Sequence, residues 1–396
     1  MNAPTRTPWL RIALLFSAGV AAAMHVGKVP GALGLLRSDL SLNLATAGWV
    51  VAIFNLVAAF AGFGFGIAAD RYGRARLAFF GLLLLAAASA IGAGAPGVIA
   101  LLASRAAEGV GFVLVAVCVP ALIAATANAA DRRTALGIWG ANVPLGIGSM
   151  LLLAAPLLER IGWRGVWLVA AALTLLAAFA LRLATRGVSL PVAQAGAASA
   201  QIRALAQQRG PWLLGLIFAL YAGQYLAVVG FLPSVLADAD GLSRTTAAVL
   251  SAFVVLGNVL GNIGSGFALR AGLAPRRLLI GASLAMAAGA ALVFTQTAGA
   301  VPHVGGGLLF SVVGGLIPGT LFALAPEQAP RPDLLSGVNG LLMQGSAAGQ
   351  FVLPPIVAAI AGSAGRWTPC MLATATAAAL VIALTWLLPR PAMPQR

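Results

Sequence analysis

Charge is what this chain of 396 residues has least of. Asp, Glu, Lys and Arg make up 8% of it and apolar residues 61%, against about 25% charged and 45–50% apolar in a soluble domain. The nine acids are scattered, the two histidines lie far apart, and Lys28 is the only lysine. No cluster of His, Asp or Glu is left to build a hydrolytic or lipid-transferring centre, so an enzyme is not expected. Cysteine is equally scarce. Cys118 and Cys370 both sit in apolar runs without metal-ligand spacing or a disulfide framework, and they read as small core residues. Gly305-Gly306-Gly307 is followed by no Gly-Lys-Ser/Thr, so there is no phosphate loop. Neither a metal nor a cofactor is expected, and work against a gradient must draw on another gradient. Segments of about ten residues with alternating polarity are missing too, which excludes spanning β-strands.

What the chain has is length in apolar runs. Stretches of 18 or more apolar residues recur throughout, and mean hydropathy is +0.98; each is long enough to cross a hydrocarbon core of about 30 Å. Gly, Pro and charge divide the chain into twelve spans, near 9–34, 45–69, 75–95, 97–122, 133–157, 163–183, 211–236, 244–269, 276–296, 301–325, 334–361 and 366–388. Residues 9–24 have the outline of a signal peptide, but the apolar run continues to Leu36 and reads as a first span. A net charge of +15 would suggest a nucleic-acid partner in a soluble protein. Here it is topological: the connections that share a side with the N-terminus carry 17 of the 24 basic residues, and the opposite side carries five. The positive-inside rule then places both termini in the cytoplasm, in a bacterial-type inner membrane. The expected fold is an all-α polytopic membrane protein of twelve helices in two six-helix pseudo-symmetric halves. Its expected parts are an N-terminal half over 1–183, a cytoplasmic linker over 184–210 and a C-terminal half over 211–396.

Internal repetition supports the halves. Gly66 is matched by Gly266, Arg74 and Arg76 by Arg276 and Arg277, and Leu136-Gly137 with Gly140 by Ser336-Gly337 with Gly340. Parallel repeats of this kind place a substrate site near the bilayer midplane between them. Between the second and third spans, Gly66, Asp70, Arg71, Gly73, Arg74 and Arg76 match position for position the signature Gly-x-x-x-Asp-Arg-x-Gly-Arg-x-Arg. This resembles the major facilitator superfamily. Arg105-Ala-Ala-Glu108-Gly109-Val-Gly111 is similar to its Arg-x-x-x-Gly-x-Gly element, and Gly27-Lys28-Val-Pro30 with Ala47-Gly48-Trp49 looks like its cyanate and nitroimidazole permease branch. The resemblance implies a monomeric secondary transporter with a conformational latch at Gly66, Asp70, Arg71, Gly73, Arg74 and Arg76. The second copy has Arg270 and Ala271 where the first has Asp70 and Arg71, which predicts a one-sided latch. The family's antiporter element in the fifth span is imperfect around Pro144.

Ionisable groups inside a span cost a few kcal/mol or more, so each marks a candidate site. Arg105 and Glu108 share a face of the fourth span, about 12 and 16 Å deep. They are either a mutually neutralising structural pair or an anion site, with Arg105 meeting the solute and Glu108 taking a proton. Lys28 lies about 27 Å along the first span, where it either snorkels to the outer interface or joins the site; His25 is a proton relay or a satisfied polar side chain. Together these groups leave one positive charge, which a bound anion would neutralise. Asn142, Tyr221, Gln224, Tyr225 and Asn258 are candidate substrate-binding neutral groups, with interhelical hydrogen bonding as their alternative role. The expected function is proton-coupled uptake of a small anionic solute through the lipid bilayer by alternating access; the alternative is proton-coupled efflux of a drug or metabolite.

Overall fold

The computed structural model describes residues 7–128, 131, 135, 138–186, 207–295, 299–328 and 335–389; within these, the side chains at 63, 66–71, 326 and 335–337 are not described. Most of the expected linker, 187–206, lies outside the described residues. Among the described residues the regular structure is helical throughout. Hydrocarbon offers the backbone no hydrogen bonds, so a spanning segment must satisfy its own.

In chain order the helices are α1 (Trp9–Asp39), α2 (Leu44–Ala52), a 3-10 turn (Ile53–Asn55), α3 (Leu56–Tyr72), α4 (Arg74–Ala93), α5 (Val98–Thr126) and α6 (Asn142–Ala184). They are followed by α7 (Arg209–Asp240), α8 (Arg244–Arg270), α9 (Pro275–Phe294), α10 (Ala300–Gly314), α11 (Leu316–Gln328), α12 (Leu335–Ala364) and α13 (Cys370–Leu387). Among the described residues, eleven stretches are long and apolar enough to cross a membrane. One of them, α6, holds two expected spans in 43 residues, with Gly162 at φ +65° breaking the helix between them. The second span is α2 and α3 joined through the 3-10 turn, and the tenth is α10 and α11 meeting at Gly315. Leu10, Phe60, Ile99 and Val301 each expose about three quarters or more of their surface, as lipid-facing side chains do. The protein is a multi-pass membrane protein with twelve spans in two pseudo-symmetric halves.

The symmetry is visible in backbone detail that composition does not carry. Asn43 Oδ1 accepts the Thr46 N–H at 2.8 Å to open α2, and Ser243 Oγ accepts the Thr246 N–H at 3.1 Å to open α8. Positive φ recurs at Ser41 and Gly241, at Gly73 and Gly272, and at Gly162 and Gly365. Trp163 Nε1 donates to Asp39 at 2.9 Å, tying the start of the sixth span to the end of the first; Trp367 Nε1 donates to Asp238 at 3.3 Å in the other half. The halves meet where α12 packs on α2 and α3, and where α8 packs on α6. Gly48 lies against Pro355 and Ala358, Trp49 packs on Phe351, and Gly148 lies against Leu256. Among the described residues, two hydroxyl or amide groups reach across: Thr245 donates to Glu159 and to the Ala155 carbonyl, and Gln344 Nε2 donates to the Ala59 carbonyl at 3.1 Å.

Candidate functional site

Two helices of the first half deliver the charged groups to one point. His25 and Lys28 are three apart on α1, as are Arg105 and Glu108 on α5, so each pair shares a helix face. Glycine lets α5 come close enough. A Cβ on Gly109 would stand 1.8 Å from the Phe54 carbonyl oxygen, and one on Gly111 would stand 2.5 Å from the Gly81 carbonyl oxygen on α4. Both glycines belong to the Arg-x-x-x-Gly-x-Gly element, and their packing explains it.

Lys28 Nζ donates to Glu108 Oε1 at 2.5 Å, to Ser89 Oγ at 2.7 Å and to His25 Nδ1 at 3.2 Å, which uses all three of its protons. Arg105 Nη1 donates to Glu108 Oε2 and, at 2.8 Å, to the His25 carbonyl; Nε reaches the Val50 carbonyl at 3.4 Å. Nη2 has no protein acceptor among the described residues. The hydroxyls fix the remaining directions. Ser89 donates to the Trp167 carbonyl and Thr174 to the Ala170 carbonyl, each at 2.8 Å. Their oxygens are thereby free to accept from Lys28 and from His25 Nε2, the latter at 2.7 Å. The network therefore assigns a neutral imidazole protonated on Nε2. Aromatic faces close the site, with Lys28 Nζ 4.5 Å from the Trp167 ring centre and the Arg105 guanidinium 4.6 Å from that of Phe54.

None of the four ionisable side chains is more than 1% exposed. Lys28 does not snorkel. The apolar run suggests a helix ending near 34, but α1 continues to Asp39 and leaves Lys28 about 16 Å short of its end. With two cations on one carboxylate and a neutral imidazole, the cluster holds one surplus positive charge. An unpaired buried charge costs several kcal/mol, so the arrangement stores an attraction for an anion. Ser89, Phe54, Trp167 and Thr174 were absent from the sequence reading; Ser89 and Thr174 did have a signal, as isolated hydroxyls in alanine- and leucine-rich runs.

The second half contributes a neutral cluster. Asn258 Nδ2 donates to Tyr221 Oη at 3.2 Å and to the Ser311 carbonyl at 2.8 Å, while Tyr225 Oη stands 3.5 Å from Ser311 Oγ. Tyr221 stacks on Tyr225, and Tyr225 on Phe310. Gln224 is fully buried, and neither polar atom of its amide has a partner. Asn142 joins neither cluster; it stands beside Gly19 of α1 at the start of α6.

A family profile described as Major Facilitator Superfamily matches residues 14–337. The chain belongs to that superfamily. The multidrug efflux pump LfrA of Mycolicibacterium smegmatis is 32% identical over 42% of this chain and 34% of its own. The nitrite extrusion protein of Bacillus subtilis is 28% identical over 63% of this chain and 62% of its own. The matched stretches thus span about a third of the first relative and under two thirds of the second. In fold, the chain is similar to a crystal structure of a bacterial homolog to the human lysosomal transporter Spinster, inward-facing and occupied. The TM-score is 0.77 at 17% identity, covering 97% of each chain. In the superfamily signature, Gly73 at φ +92° separates α3 from α4, Arg74 opens α4, and the Arg76 guanidinium lies 5.7 Å from the Phe80 ring centre. The side chains at Gly66, Asp70 and Arg71 lie outside the described residues.

Proposed function

We propose that this superfamily member moves a small anionic solute across a bacterial-type inner membrane by alternating access, with protons as the coupling ion and uptake as the direction. The observation that carries the reading is the pair of buried cations, Lys28 and Arg105, sharing one carboxylate on Glu108. Their surplus charge is what a monovalent anion would cancel, and Arg105 Nη2 is the donor left to receive it. Coupling belongs to the Lys28, Glu108 and His25 side of the cluster. Tyr221, Gln224, Tyr225 and Asn258 face the solute from the second half, and Asn142 is an outlying member of the site. Both termini lie in the cytoplasm, the linker over 184–210 joins halves over 1–183 and 211–396, and the protein works as a monomer. Gly66, Asp70, Arg71, Gly73, Arg74 and Arg76 form the cytoplasmic latch.

A second reading is proton-driven export, favoured by what the relatives are named for: multidrug efflux in one and nitrite extrusion in the other. Flux in proteoliposomes separates the two. Uptake of nitrite driven by an inward proton gradient, competed by other small anions, supports the first reading. If that gradient instead drives organic cations outward and no anion competes, anion uptake is wrong.

A further inference from the structure

We propose that Lys28 is the group that binds and releases the coupling proton, one for each anion carried. The inference rests on the anion–proton reading and says where in the cluster the proton sits. Charge counting decides between the candidates. Arginine stays protonated in proteins, so Arg105 is excluded. With Lys28 charged, the cluster carries one surplus positive charge and a monovalent anion brings it to zero. With Lys28 neutral, Arg105 and Glu108 cancel and the empty cluster is again zero. The loaded and the empty forms are then both neutral, and neither leaves an uncompensated charge in a low dielectric. Protonating Glu108 gives the opposite result: two surplus charges when empty and one when loaded. Both Glu108 oxygens already face cations, at Lys28 and Arg105.

Hydrogen bonding accommodates both forms. The groups facing Lys28 are His25 on its own helix, Ser89 from α4, Glu108 and Arg105 from α5, and Trp167 and Thr174 from α6. Of these, His25, Glu108 and Arg105 are ionisable. On release, once the tilt of the halves opens the cluster to one side of the membrane, the Nζ proton passes to His25 Nδ1 while the Nε2 proton leaves to the water that enters, so lysine becomes neutral and the imidazole changes only its tautomer. The neutral amine keeps two N–H bonds for Ser89 and Glu108 and turns its lone pair to Nδ1–H. Thr174 rotates its hydroxyl from the Ala170 carbonyl to Nε2. Every member remains bonded, and one proton has left.

Because Lys28 is the only lysine, full-length protein labelled with 13C,15N-lysine gives one side-chain resonance in detergent or nanodiscs, already assigned. The expected result is that this resonance moves by the full ammonium-to-amine difference between about pH 5 and pH 9, an interval over which an exposed lysine stays charged. Adding sodium nitrite at the alkaline end should return it towards the ammonium position, because the anion favours the charged form. A resonance fixed at the ammonium position while the protein remains folded overturns the proposal. If pH moves the signal but neither nitrite nor nitrate does, Lys28 stands as the proton site and the small-anion reading fails.

Discussion

Replacing Glu108 with glutamine is the most severe conservative change available at the buried cluster. The variant keeps shape and volume but removes the one negative charge that Lys28 and Arg105 share, so two cations remain about 1% exposed or less without a counter-ion. The amide oxygen can still accept from one of them, but the amide N–H group must then face a donor. Removing one partner of a buried pair costs about 3–5 kcal/mol, and serving two cations puts Glu108 at the upper end. Thermal unfolding in a fixed detergent, followed by intrinsic tryptophan fluorescence, should show a clear fall in melting temperature. The double variant Lys28→Met with Glu108→Gln returns the cluster to one surplus charge, as in the native protein with Lys28 charged. It should melt above the single Glu108→Gln variant, with a coupling energy of about 0.5–3 kcal/mol, as expected for residues in direct contact. Equal melting of native protein and Glu108→Gln, or strict additivity in the double variant, would refute the shared-carboxylate account.

Gly109→Ala should fail differently, because its methyl group would stand 1.8 Å from the Phe54 carbonyl oxygen; overpacking costs about 1–3 kcal/mol or more, and size-exclusion chromatography should show less monodisperse protein, an unchanged profile being the contrary result. Gln224→Leu removes an amide that makes no hydrogen bond, so its melting temperature should stay level or rise; a fall of several degrees would mean that the amide has a partner in the protein at work. Thr245→Val deletes the hydroxyl that bridges to Glu159 and Ala155, worth about 0.5–1.5 kcal/mol. With a cysteine introduced at Leu35, which lines the same junction, maleimide labelling should speed up severalfold, and unchanged labelling would remove this contact from the closure.

The spans, the split into halves and the pairing of Arg105 with Glu108 were legible because each depends on local order: apolar runs, loop charge and a three-residue step on one helix. Lys28 was harder to place. Its depth depends on where α1 ends, and that end is set at Asp39, where Trp163 and Arg164 from the sixth span hold the carboxylate. An interaction across 124 residues leaves no trace in the hydropathy of residues 30–39. Ser89 and Thr174 were visible as hydroxyls in apolar runs, but nothing in their own neighbourhood says that one receives from a lysine and the other from a histidine. Asn258 is similar: its four-residue step to Asn262 is legible, whereas its bonds to Tyr221 and the Ser311 carbonyl require three helices to be in place.

The distribution of these bonds bears on how such a protein can move at all. Every hydrogen bond of the charged cluster joins elements of the first six spans, and every one of the tyrosine and asparagine cluster joins elements of the last six. Across the halves, among the described residues, stand glycine and alanine contacts, the aromatic packing of Phe351 on Trp49 and Phe60, and the single side chains Thr245 and Gln344. Breaking a buried ion pair costs about 3–5 kcal/mol, whereas a neutral hydrogen bond contributes about 0.5–1.5 kcal/mol net. A rocking motion of one half on the other therefore breaks the weak set and leaves the strong set intact. The two clusters differ in charge as well as in position: the first half holds the surplus cation and the second offers neutral hydroxyl, amide and aromatic groups. Under the proposed function, a solute between them would be held electrostatically by one body and by shape and hydrogen bonding by the other. It can then change its exposure as the halves tilt without losing its counter-charge.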